Sequence, residues 1–105
     1  MKNNLLKVAL AQISPVWLNK EKTIEKIEKS IIDASKENCE LIVFGEALLP
    51  GYPFWLALTE GAKWDLKVNK EIHAHYVRNA ITIEKGELNS VCELAKKHKI
   101  AIYLG

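Results

Sequence analysis

Four consecutive apolar residues, Leu41-Ile42-Val43-Phe44, run directly into Gly45-Glu46. A short run with no polar alternation fits a central strand buried on both faces. Such a strand needs neighbours, and the sequence upstream provides them. Residues 5–13, LLKVALAQI, read as a first strand. Leu6, Val8 and Leu10 share one face, and Leu5, Ala9, Ala11 and Ile13 the other. Apolar residues on both sides again imply cover on both sides. Ser14-Pro15 breaks this strand.

Between the two strands lies an amphipathic stretch. Asn19 has the side chain of an N-cap for a helix over 20–37. Ile24, Ile27, Ile31 and Ala34 recur at helical spacing as one apolar stripe. Lysines and glutamates fill the other face, with Glu25 and Lys29 as an i,i+4 pair. Asn38 suits the left-handed position that closes such a helix. Strand, helix and buried strand make a βαβ unit, so an α/β fold with helices packed on a mostly parallel sheet is expected.

Downstream, residues 65–84 read as a helix with Ile72, Tyr76, Ala80 and Ile83 on one face, interrupted by Lys85-Gly86. A further helix over 87–98 carries Leu88, Val91, Cys92 and Ala95 at helical spacing. Its C-terminal Lys96, Lys97, His98 and Lys99 complement the helix dipole. A third strand, Ile100-Ala101-Ile102-Tyr103-Leu104, ends the chain. One domain over residues 1–105 is expected, and a sequence that stops on a core strand reads as part of a longer polypeptide.

Composition narrows the function classes. The 105 residues hold 15 Lys+Arg against 13 Asp+Glu, a formal charge of +2, with 49% apolar residues. That is a globular composition rather than a disordered one. Lysines are interleaved with glutamates, so no nucleic-acid partner is implied. No apolar run approaches the ~20 residues of a membrane span. The N-terminal stretch has no long apolar segment of an export signal. Cys39 and Cys92 are too few and too distant for a disulfide framework or zinc site, which fits a reducing, cytoplasmic setting. No Gly-rich phosphate loop follows the first strand, where Ile13-Ser14-Pro15 stands. His73 and His75, two apart on a helix, diverge and make no metal pair.

Glu46 is the residue that calls for chemistry. It follows the central strand directly, where open α/β sheets gather their ligands. Gly45 before it permits close backbone approach, and Pro50-Gly51-Tyr52-Pro53 after it forms a stiff turn. Partial burial would make this carboxylate a stronger proton acceptor. The competing reading is a structural glutamate that caps backbone N–H groups of the turn.

The run FGEALLPGYPFW resembles the first signature of the carbon-nitrogen hydrolase (nitrilase) superfamily, and KVALAQISPVW resembles that family's first strand. YVRNAITIEKGELNSVCELAKKHKIAIYLG is similar to the helix and strand that follow. The resemblance covers essentially the whole chain, and Gly-Tyr-Pro-Phe-Trp lies nearer the nitrilase branch than the amidases. It implies the N-terminal part of a nitrilase-type αββα sandwich. It also implies a glutamate, lysine and cysteine mechanism with no metal or organic cofactor, acting on a small nitrile or amide. Of that set only Glu46 carries over; the lysine and cysteine motifs lie beyond the third strand. Tyr52 is a candidate substrate-binding residue. Phe54, Trp55 and Trp64 are candidates for a pocket or interface, or for plain core. A homo-oligomer or a complementary C-terminal chain is the expected partner. The alternative is a non-catalytic α/β module for interaction or ligand binding.

Overall fold

The computed structural model describes residues 4–105. Met1, Lys2 and Asn3, the start of the stretch read for an export signal, lie outside the described residues. Three strands form one parallel sheet: β1 (Val8–Ala11), β2 (Leu41–Phe44) and β3 (Ala101–Tyr103). β2 is central, as its unbroken apolar run requires. Val8, Leu41 and Ala101 lie abreast, then Ala9, Ile42 and Ile102, then Leu10, Val43 and Tyr103.

Helix α1 (Lys20–Lys36) links β1 to β2. Asn19 caps it as expected, its side chain accepting from the Lys22 N–H at 3.1 Å. Asn38 takes the left-handed conformation, φ 61°, just past its end. Glu25 pairs with Lys22, at 3.4 Å, rather than with Lys29; both are exposed, so the pair adds little. Thr23 is fully buried, and its hydroxyl accepts from the Val16 N–H at 3.0 Å. This ties the loop after β1 to the helix.

α1 and α4 (Asn89–His98) lie together on one face of the sheet. Ile27, Ile31 and Ala34 from α1, Ile42 and Phe44 from β2, Leu48, Val91 from α4 and Ile100 form the core. Each large side chain buried there contributes roughly 1.5–3 kcal/mol. On α4 the expected stripe is corrected at one position. Cys92 is exposed, and Leu94 packs against the core beside Leu88 and Val91. The face of α4 is set by where α1 lies, and this is invisible in the spacing alone.

The opposite sheet face is bare. Val8, Leu10 and Tyr103 are exposed, although two-sided cover was expected for β1. Within these residues only one layer of helices meets the sheet. Strand β1, Val8–Ala11, is also shorter than the 5–13 expected.

The segment between β2 and α4 is built differently. A short helix, α2 (Trp55–Leu58), precedes α3 (Lys67–Arg78). α3 stops at Arg78 instead of running to 84, and a 3₁₀ turn at Ile83–Lys85 follows. Lys20 Nζ lies 3.4 Å from the carbonyl oxygens of both Arg78 and Ala80, and so holds the end of α3 where the longer helix was expected.

Candidate functional site

Glu46 stands two residues past the end of β2, at the C-terminal edge of the parallel sheet. Its backbone is closely packed. A Cβ on Gly105, beyond β3, would come within 3.1 Å of Glu46 Cα and 3.0 Å of the Gly45 carbonyl oxygen. The close backbone approach therefore occurs here, but the glycine that permits it is Gly105. A Cβ on Gly45 would meet nothing within 4 Å. The Glu46 side chain is exposed. The partial burial expected from its position is not provided by these residues, because the packing around position 46 involves its backbone.

The loop leaving Glu46 is anchored at its far side. Leu48 and Pro50 are buried, and so is Gly51. Gly51 has φ +119°, which residues with a side chain rarely adopt. A Cβ there would also press on Pro15 and Trp17 at 3.2 Å. The Gly51 carbonyl accepts a hydrogen bond from the Tyr76 hydroxyl of α3 at 2.8 Å. Partial burial pushes the Tyr76 phenol above its usual range, so it stays protonated and able to donate.

Aromatic rings surround this anchor. Trp17 meets Phe54 with ring centroids 4.9 Å apart and Trp55 at 5.4 Å; Trp55 meets Tyr76 at 5.4 Å. All are edge-to-face, the favoured geometry for such pairs. Phe54 and Trp55 thus fix the turn. A cavity of about 230 Å³ lies beside them, lined by Trp55, Ile72, Tyr76 and Asn69 among others. Tyr52 does not line it. Its ring is 66% exposed, neither packed in the turn nor enclosed in a pocket by these residues. Trp64 is 91% exposed, so it is not core. It borders a more open cavity of about 550 Å³ with Leu66, Asp65 and His73.

Sequence reasoning missed Trp17 and the hydroxyl of Tyr76. Tyr76 was assigned to an apolar stripe, where its ring does lie. A polar group in such a stripe was the available signal, since a half-buried phenol normally finds a partner.

A second polar cluster lies at the start of α1. Lys20 Nζ is 2.6 Å from a Glu87 carboxylate oxygen, with both side chains mostly covered. The hydrogen bond from Lys20 holds the Glu87 carboxyl below its usual range against the opposing effect of burial. The charge of Lys20, the Thr82 N–H and the charge of Lys85 add to this. Among the described residues no group of three or more His, Cys, Asp or Glu side chains is placed to hold a metal. No described helix is long and apolar enough to cross a membrane.

Residues 7–105 match the family described as carbon-nitrogen hydrolase. The chain is 31% identical over 100 residues to an arylacetonitrilase of Aspergillus oryzae, covering 95% of this chain and 28% of that protein. It is 33% identical to an arylacetonitrilase of Arthroderma benhamiae, covering 100% of this chain and 29% of the relative. It is also 33% identical to a nitrilase of Meyerozyma guilliermondii, covering 95% and 29% respectively. The chain thus spans less than a third of the length of each of these relatives.

Proposed function

The chain belongs to the carbon-nitrogen hydrolase family, and from this we propose that the whole protein hydrolyses a small nitrile to a carboxylic acid and ammonia, with Glu46 as general base. The observation that carries this reading is the position of Glu46. It stands at the C-terminal edge of the central parallel strand, on a backbone packed against Gly105. Relatives named arylacetonitrilase and nitrilase favour a nitrile over an amide.

In the proposed reaction a cysteine thiol from the rest of the protein passes its proton to Glu46. Its sulfur then bonds to the nitrile carbon while the nitrile nitrogen takes up a proton, giving a thioimidate. Water adds to that carbon, the carbon–nitrogen bond breaks and ammonia leaves. A second water releases the acid from the resulting thioester, again with Glu46 accepting a proton. A base is needed because a free thiol, with a pKa of about 8.5, is mostly un-ionised at neutral pH. A lysine, also from the rest of the protein, balances the charge that builds on the attacked group. These 105 residues supply the base alone, and no metal or organic cofactor enters the scheme.

Glu46→Gln in the whole protein is expected to lower ammonia release from an arylacetonitrile by about a hundred- to ten-thousand-fold. Undiminished turnover rejects the assignment.

The bare sheet face favours a companion reading of partners. Val8, Leu10 and Tyr103 form an apolar surface that a second sheet, as in an αββα sandwich, would cover. The remainder of the protein, a second copy in a homo-oligomer or a complementary C-terminal chain would provide it. A non-catalytic interaction module would use the same face; stable, monodisperse folding of the chain by itself would favour that alternative.

A further inference from the structure

The geometry points to Tyr76 as a positioning residue for the Glu46 loop, acting through the carbonyl of Gly51. This rests on the reading of Glu46 as general base and adds a residue that does not touch the reacting atoms.

The loop from Gly45 to Pro53 is held at two ends. At the first, the backbone around Gly45 and Glu46 meets Gly105. At the second, Gly51 is wedged against Pro15 and Trp17, and its carbonyl accepts from the Tyr76 hydroxyl across 25 residues of sequence. The ring of Tyr76 is fixed by Trp55. The C-terminal end of α3 is fixed by Lys20, which reaches the carbonyls of Arg78 and Ala80. A continuous set of contacts therefore runs from Glu87 through Lys20 and α3 to Tyr76 and Gly51. Glu46 is the last residue of the first anchor, and only four residues, 47 to 50, with Leu48 and Pro50 buried, separate it from the second. Freeing the second anchor loosens the far side of this short turn and so relaxes the direction in which the Glu46 side chain leaves the sheet edge, and small displacements of a catalytic group are costly in rate.

Tyr76→Phe in the full-length protein removes one hydroxyl and keeps the ring. The expected result is a fall in kcat of about ten- to a hundred-fold with KM nearly unchanged. Val91→Ala, a core change on α4 that leaves the Tyr76–Gly51 hydrogen bond in place, serves as the control: it lowers the melting temperature and leaves kcat unchanged below it. A Tyr76→Phe protein with wild-type kcat overturns the proposal, whether or not its melting temperature falls. A fall in kcat that the control reproduces at equal loss of stability also overturns it, since the effect is then structural. If Tyr76→Phe itself fails to fold, Lys20→Met, which frees the end of α3 that carries Tyr76, is measured in the same way, with the same fall expected and wild-type kcat overturning the proposal. Failure of the underlying reading shows separately: Glu46→Gln then retains turnover, and the role of Tyr76 falls with it.

Discussion

The two faces of the sheet are made of similar residues and have opposite surroundings. Ile42, Phe44 and Ile102 pack in the core with α1 and α4, while Val8, Leu10 and Tyr103 on the other side are exposed. Parallel sheets are normally covered on both sides. The contrast teaches that strand composition alone does not say which face is covered: the helices described here cover one of two similarly apolar faces. The bare side is the face that the proposed second sheet would cover.

Three measurements sharpen or break this contrast. On the covered side, Phe44→Ala should cost about 3–5 kcal/mol of unfolding free energy, seen as a large fall in the urea midpoint. Next comes the ion pair between Lys20, at the start of α1, and Glu87, two residues ahead of α4. Because the Glu87 carboxyl is held below its usual range, its contribution is present above the unfolded value of about 4.3 and is lost as pH falls through the folded value. Midpoints measured from neutral to acid pH should decline below about pH 4.3, and Glu87→Gln should flatten that decline. The smallest effect is expected on the bare side. Leu10, 76% exposed, should tolerate Ala within about 0.5 kcal/mol in this chain. A Leu10→Ala cost as large as that of Phe44→Ala would mean that the second face is covered in solution.

Local chemistry was readable from the sequence. The Asn19 cap, the left-handed Asn38, the stripe of α1 and the central place of Leu41–Phe44 each depend on neighbours within a few residues, and each was found as expected. Features set by distant partners were not readable. α3 ends early where Lys20 reaches its carbonyls. Leu94 replaces Cys92 in the core because of the placement of α1. Tyr76 finds Gly51 across a fold that spacing does not reveal. The candidate site divides in the same way. The location of Glu46 at the sheet edge was legible from strand and turn. Its side-chain environment was not, since these residues pack its backbone and leave the carboxylate exposed.

Gly51 has a consequence for anyone reshaping this protein. Its backbone angle strains any other side chain, and the 3.2 Å clearance to Pro15 and Trp17 leaves little room for one. A saturation library spanning this loop therefore has a strained position at its centre, while the neighbouring ring of Tyr52 is free to vary. Selectivity engineering would profit from diversifying position 52 and leaving the glycine alone.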